Sequence, residues 1–306
     1  MANVTAQILP SGDLPLPWEA ARLARLRSLA TLAGFAPEGA EAPALQVAFG
    51  AGDGQPVTRD GQSLADWEKA DGRLSVRIHE PDLAEEALVA ALAAAGTDPR
   101  APGRFAAVAT DEDELRAALP AASVIRPGLP GEWWVENAEG ADLPGLDPEL
   151  RPPERLLGAR LATAGLTVAA AESCTGGGIA ERLTAVPGSS AYVERGWVTY
   201  TNAAKEALLG VPGGILEKHG AVSEPVARSM VQGALERSPA QLALAVTGIA
   251  GPGGGTADKP VGTVWIAAGR RGTGAVARQF EFPGSRGEVR WRTVNAAIAM
   301  ALERVG

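Results

Sequence analysis

Two short apolar runs, Leu166 to Ala170 and Leu242 to Val246, each break into a stretch dominated by small residues and glycine. The first opens into Ala171-Glu172-Ser173-Cys174-Thr175-Gly176-Gly177, with a helical pattern over 179–185 behind it. The second opens into Gly248-Ile249-Ala250-Gly251-Pro252-Gly253-Gly254-Gly255. Apolar runs this short, bounded by turn residues, read as strands buried on both faces, as a parallel sheet requires. Two parallel strands ending in tight loops describe a crevice of the kind in which α/β proteins bind ligands. The hydroxyl of Ser173 and the thiol of Cys174 stand at the start of a helix, where free N–H groups and the dipole favour developing negative charge. They are the adjacent nucleophile candidates.

The surrounding signals extend this half into a layered mixed sheet flanked by helices. Leu156 to Ala164 reads as a helix ended by Gly165, and Arg195 to Tyr200 as a strand with alternating apolar residues. A helix follows from Asn202 to Leu209. Ser223-Glu224-Pro225 starts another, with serine as N-cap and proline in the first turn, running to about Arg237. Val261 to Ala268 and Ala275 to Phe282 form an antiparallel pair, and Gly287 to Val305 is the closing helix.

The first half alternates strand and helix signals too, which makes it a second α/β domain. Residues 1–16 read as a loose arm or an edge segment, and a helix starts at Pro17 with Leu23, Leu26, Leu29 and Leu32 on one stripe. Leu45 to Phe49 is a strand ended by the glycines of 50–54, Ser63 to Trp67 a short helix, and Leu74 to Ile78 an alternating strand. A helix opens at Pro81-Asp82 and runs to about Ala95, with Gly96 after it. Then come a strand over Phe105 to Ala109, a helix over Asp111 to Leu119, and strands at Ala122 to Ile125 and Trp133-Trp134-Val135. No catalytic cluster stands out: His79 reads as structural, the paired tryptophans as packing, and the carboxylates lack metal-loop spacing. The Pro-rich stretch between Pro144 and Pro153, where composition and charge shift, divides the chain into a domain over 1–145, a linker over 146–153 and a domain over 154–306.

Charge narrows the partners. The 306 residues carry −8 overall, but 24 acidic and 11 basic side chains leave −13 on residues 1–150, whereas 12 acidic and 17 basic leave +5 on the rest. The second half therefore suits an anionic small molecule, and direct DNA binding is not expected of a chain with no Lys/Arg block and an acidic first half. No apolar run reaches membrane-spanning length, and the start, Met1-Ala2-Asn3-Val4, lacks a basic and apolar signal segment. With Cys174 as the single cysteine, internal disulfides and an all-Cys metal site are excluded, and a cytoplasmic protein without membrane contact is the expectation.

Neither glycine loop is a P-loop, since no Gly-Lys-Ser/Thr follows, and the second leads into a strand rather than the helix of a dinucleotide fingerprint. A Ser-His-Asp site needs a histidine, and this half has only His219, in a loop-like segment where a helix C-cap role fits at least as well. A serine is alternatively activated by a neutral, desolvated lysine. Lysine is scarce, at 69, 205, 218 and 259 against 24 arginines. Lys205 follows the strand end Tyr200-Thr201-Asn202, although on the residues alone an exposed helix lysine is the simpler reading. Cys174 competes with Ser173, because helix N-termini lower thiol pKa, and against this stands a small buried residue. Spacing does not decide which side chain faces the crevice.

Six ordered blocks carry a resemblance. Ala171-Glu172-Ser173-Cys174-Thr175-Gly176-Gly177, Val186-Pro187-Gly188-Ser189-Ser190, the run from Gly196 to Lys205, Gly220-Ala221-Val222-Ser223-Glu224, the run from Ala245 to Pro252, and Lys259-Pro260-Val261-Gly262-Thr263-Val264 closely resemble the CinA C-terminal domain, the PncC nicotinamide mononucleotide deamidases, over residues 152–304. The resemblance implies hydrolysis of the carboxamide of nicotinamide mononucleotide to nicotinic acid mononucleotide and ammonia, with no cofactor or metal, by a homodimer. It makes Ser173 the nucleophile and Lys205 the general base, with Tyr200 and Thr247 around the reacting carbonyl. Thr175, Gly176, Gly177 and Gly248 line the substrate, Arg286 or Arg290 contacts its phosphate, and backbone N–H groups of the 175–177 turn are suitable oxyanion donors. A non-catalytic nucleotide-binding regulator linked to competence or DNA damage is the alternative. The first half lacks the Gly-Thr-Glu-Leu-Leu signature of the molybdopterin-binding-like domain that precedes this one in full-length CinA. Residues 1–145 are accordingly read as a divergent relative, without the associated ADP-ribose pyrophosphatase activity.

Overall fold

A computed structural model describes residues 6–8, 17–35, 45–49, 54–59, 62–70, 73–79, 84–100, 104–110, 112–129 and 131–305. In the first half, β1 (Ala6–Ile8), β2 (Leu45–Phe49), β3 (Gln55–Arg59), β4 (Gln62–Ala70) and β5 (Arg73–Ile78) build a five-stranded sheet in the order β1-β2-β5-β4-β3. Helices α1 (Pro17–Leu32) and α2 (Ala84–Ala94) cover it, and Leu26, Leu29, Leu88 and Leu92 join Leu45, Val47 and Ile78 in one core. The expected edge segment at the N-terminus appears as β1, parallel to β2. The alternating reading of β5 is matched by strict alternation of exposed and buried residues. Gly96 takes the left-handed conformation (φ 83°) after α2. The expected loop over 50–53 and the helix starts at Pro81-Asp82 and Asp111 lie outside the described residues.

One expectation is overturned here. Ser63 to Trp67 is not a helix but the middle of β4, paired with β3 on one side and β5 on the other. Five residues hold too little helical propensity to resist two ladders of hydrogen bonds. His79 sits beside this strand as a structural group, with its ring nitrogens 3.1 Å from Ser63 Oγ and 2.8 Å from Asp66 Oδ2.

A second, four-stranded sheet follows, formed by β6 (Arg104–Val108), β7 (Val124–Pro127), β8 (Glu132–Glu136) and β9 (Leu146–Asp147) in the order β7-β8-β6-β9, with α3 (Glu112–Ala118) against it. Trp133 and Trp134 point to opposite faces of β8, as strand alternation demands, and pack in two different cores. Strand β9, short and unanticipated, places the start of the 146–153 segment on β6. Asp147 is buried there and accepts three hydrogen bonds from Arg151.

The second half is a three-layer unit. Strands β10 (Val168–Glu172), β11 (Val193–Val198), β12 (Leu242–Gly248), β13 (Thr263–Arg270) and β14 (Gly274–Glu281) lie in the order β11-β10-β12-β13-β14. Helices α4 (Pro153–Ala164), α5 (Gly178–Thr184) and α9 (Arg286–Val305) cover one face, and α6 (Asn202–Leu209), α7 (Gly213–His219) and α8 (Glu224–Glu236) the other. Strand β10 pairs in parallel with both β11 and β12, whereas β12, β13 and β14 are antiparallel, so the sheet is mixed as expected. All five residues of β10 and the first six of β12 are buried, which accounts for their apolar runs up to the polar Glu172 and Thr247 at their ends. His219 ends helix α7, in line with the helix-terminal role read for it, whereas Ser223 precedes α8 without the expected side-chain cap, its hydroxyl donating instead to the Gly220 carbonyl. Among the described residues no helix is long and apolar enough to cross a membrane.

Candidate active site

The order of strands determines where chemistry is possible. β11 and β12 run parallel to β10 on its two sides, and the chain leaving β10 enters α5 on one face whereas that leaving β11 enters α6 on the other, so the carboxyl end of β10 is the position at which α/β sheets bind ligands. Ser173 is the first residue beyond β10. Its N–H donates to the Val246 carbonyl and Thr199 N–H to the Glu172 carbonyl, so the ladder continues past the strand ends and holds the three loops in register.

Lys205 reaches this point from the first turns of α6. Thr201 caps that helix through its side chain, and Gly210 ends it in the left-handed conformation. The side chain is only 1% exposed, and Nζ lies 3.1 Å from Ser173 Oγ and 2.8 Å from the Thr199 carbonyl, with the Tyr200 carbonyl at 3.5 Å. The exposed-lysine reading is thereby overturned. Burial pushes the Lys205 ammonium below the ordinary lysine value. A lysine inclined to neutrality beside a serine that is 7% exposed is the arrangement a Ser-Lys pair needs.

Cys174 faces the other way. It lies in the core formed by α4, α5 and α9, and burial pushes its thiol up to about 12. The thiol-lowering effect of a helix N-terminus does not reach it, because desolvation outweighs the dipole. Geometry separates the two neighbours where spacing did not, since consecutive residues leaving a strand point to opposite faces.

The turn that follows corrects another expectation. Gly176 and Gly177 are left-handed (φ 63° and 100°), which glycine alone adopts at little cost. Their N–H groups are already engaged, however. Gly176 N–H donates to the Ser173 carbonyl and Gly177 N–H to Glu172 Oε2, so neither serves as an oxyanion donor in this conformation. Glu172, unassigned by sequence reasoning, organises the turn. Buried at the end of β10, its carboxylate accepts from Thr175 Oγ1 (2.7 Å) and from the N–H groups of Gly177, Ile179 and Ala180. The anion favoured by the α5 N-terminus is thus the protein's own. An acid three residues before a Thr-Gly-Gly helix start was the available signal.

The remaining candidates stand at the carboxyl ends of β10, β11 and β12 or on the loops and helices beyond them. Thr247 is buried at the end of β12, and its hydroxyl donates to the Ala221 carbonyl. Gly248 is required by packing, since a Cβ there would come within 2.7 Å of Val264. Tyr200 is 58% exposed, and its hydroxyl accepts from Arg286, which also donates to the Gly251 carbonyl. Arg290 donates twice to the Thr175 carbonyl, at 3.2 and 2.6 Å. Among the described residues neither arginine enters an ion pair, and no group of three or more potential metal-ligating side chains occurs.

Comparison with known proteins locates this half in a family. The model of the CinA C-terminal domain matches residues 151–305. A CinA-like protein of Akkermansia muciniphila is 51% identical over 150 residues, 49% of this chain and 36% of the relative. A putative competence-damage inducible protein of Symbiobacterium thermophilum is 47% identical over 205 residues, 64% of this chain and 46% of the relative, so that similarity extends into the residues before 151. Among solved structures, the competence/damage inducible protein of Agrobacterium tumefaciens is 48% identical, covering 50% of this chain and 97% of that one, with a TM-score of 0.48. The chain spans less than half the length of the two sequence relatives. With its matched region containing both Ser173 and Lys205, the chain belongs to the CinA C-terminal domain family.

Proposed function

We propose that the second half is an amidase that hydrolyses the carboxamide of nicotinamide mononucleotide to nicotinic acid mononucleotide and ammonia. The observation that carries this reading is the buried Lys205 amine 3.1 Å from the Ser173 hydroxyl. The Thr199 carbonyl accepts an N–H of Lys205, which leaves the amine lone pair for the serine proton. Lys205 takes that proton as Oγ attacks the carboxamide carbon, then returns it to the departing nitrogen, releasing ammonia and leaving an acyl group on Ser173. Water, deprotonated by the same amine, attacks the ester carbon, and the proton passes from Lys205 to Ser173 Oγ as the acyl C–O bond breaks, freeing the carboxylate product and restoring the serine. Arg286 and Arg290 spend their N–H groups on uncharged oxygens, so their charge remains available to the nucleotide phosphate.

The test is ammonia release from nicotinamide mononucleotide by the purified chain and by Ser173→Ala. Turnover in wild type that the variant loses supports the reading. Near-wild-type turnover in Ser173→Ala sinks the serine assignment, and tight nucleotide binding without any turnover replaces the amidase with a nucleotide-binding regulator. The homodimer implied by the same resemblance is read by sedimentation of the intact chain.

A further inference from the structure

The Ser173 turn is bounded by two helices, α5 and α9, and both are fastened to the first half through one buried cluster. Arg25 of α1 grips Glu132 of β8 with two hydrogen bonds, Nε to Oε2 at 3.0 Å and Nη2 to Oε1 at 2.8 Å, and donates to Glu154 of α4 at 2.9 Å. Glu132 also accepts from Asn295 of α9 at 3.1 Å. Asn295 in turn accepts from Arg182 of α5 at 2.6 Å, and Arg182 is paired with Glu154. Trp291, one turn of α9 before Asn295, lies under both guanidiniums, with its ring centre 4.6 Å from Arg182 and 5.9 Å from Arg25. The contact is close at the backbone as well. Gly131 sits tightly against α9, since a Cβ there would lie 3.0 Å from Asn295 Cβ.

The residue next to Trp291 is Arg290, whose guanidinium holds the Thr175 carbonyl in the Ser173 turn. Arg182 belongs to the helix whose N-terminus Glu172 organises. Both routes from the first half therefore end on residues 173–180. Buried charged networks have discrete rather than graded arrangements, so a change in the cluster is transmitted instead of absorbed.

We propose that Arg25 and Glu132 of the first half are positioning residues for the Ser173 turn, acting through Asn295, Arg182 and Trp291 to set α5 and α9. The first half is then a built-in brace for the reactive centre. That the braced centre is an amidase rests on the reading above; the brace itself does not.

The experiment is hydrogen exchange on the intact chain with Glu132→Gln, which keeps shape and removes the charge, and Arg25→Lys, which keeps charge and removes the fork. Arg116→Met, at an exposed position of α3, is the control. Peptides spanning 173–180 should exchange at least tenfold faster in both cluster variants and at the wild-type rate in the control, with kcat for ammonia release falling about tenfold while KM changes less than twofold. Unchanged exchange over 173–180 in folded variants overturns the proposal, and if Glu132→Gln does not fold, Arg25→Lys decides alone by the same reading. Absent turnover in wild type counts against the amidase and leaves the exchange result decisive for the brace.

Discussion

At the scale of single residues, the site turns on which of two adjacent side chains leaves the core. Spacing alone leaves Ser173 and Cys174 equivalent, the family resemblance favours the serine, and the direction of β10 sends the hydroxyl to Lys205 and the thiol to the apolar layer beneath. Cys174→Ala should therefore keep near-wild-type ammonia release, and the native thiol should react with iodoacetamide at pH 7.5 far more slowly than a free cysteine, since its pKa is pushed up to about 12. Lys205 yields a prediction with a sign. Burial lowers its pKa, so the unfolded chain binds the proton more readily, and stability rises with pH from the folded pKa towards the ordinary value of 10.5. The activity limb that requires the neutral amine should accordingly rise below 10.5. Lys205→Met should abolish turnover yet raise stability by about 1 kcal/mol at pH 6, with the gain shrinking at higher pH, as denaturant midpoints would show. The lysine's scarcity drew attention to it in the sequence, but its burial was not legible. A Lys on a helix reads as solvated until tertiary packing removes the water.

At the scale of elements, legibility followed the strength of the local pattern. The buried parallel strands β10 and β12 announce themselves through apolar runs, and the helices around them, α7 apart, through their period. Strand β4 did not, because its Ser-Leu-Ala-Asp-Trp core has no decisive period and takes its conformation from partners on either side. How the elements pack against each other was hidden as well, and two packing details support the site. The first is Glu172, which meets four donors at the β10–α5 turn. Glu172→Gln turns part of that acceptor into a donor facing N–H groups, and should cost about 3 kcal/mol in a urea titration. The second is Gly233 in α8, where a Cβ would fall 1.9 Å from the Leu209 carbonyl at the end of α6. Gly233→Ala gains helix propensity but forces apart the helix that carries Lys205. A net loss of about 2 kcal/mol, with kcat falling at least tenfold, is expected in melting and ammonia assays. Wild-type turnover in that variant would mean that α6 tolerates the displacement.

Across the whole molecule, the join between halves is the feature least visible in sequence. Arg25, Glu132, Glu154, Arg182 and Asn295 are far apart along the chain, and each alone reads as an ordinary surface polar residue, whereas in the fold they share one buried site. The 146–153 stretch looked like a linker because proline is common there, yet β9 and Asp147 tie its start to the first half and Pro153 begins α4. Such a join should make the halves unfold together. Burial alone would raise the Glu154 carboxyl, but Arg182 and Arg25 outweigh it and hold the group well below the ordinary carboxylate range. Its contribution is then fully present above the unfolded value of 4.5 and disappears only as pH falls through the depressed one, so the join should survive at pH 4. Calorimetry of the intact chain should show one transition at pH 7 and at pH 4. Glu154→Gln leaves both arginines short of a buried partner, a change that costs about 3–5 kcal/mol when one member of a buried pair is removed. It should split the transition in two, the later one belonging to residues 151–305, whose two cores take only Val108 from the first half. A single undisplaced transition in Glu154→Gln would show that the halves are held by something other than this cluster. Since raised salt barely screens buried pairs, the wild-type transition should also stay single at 0.5 M ionic strength, despite the opposite net charges of the two halves.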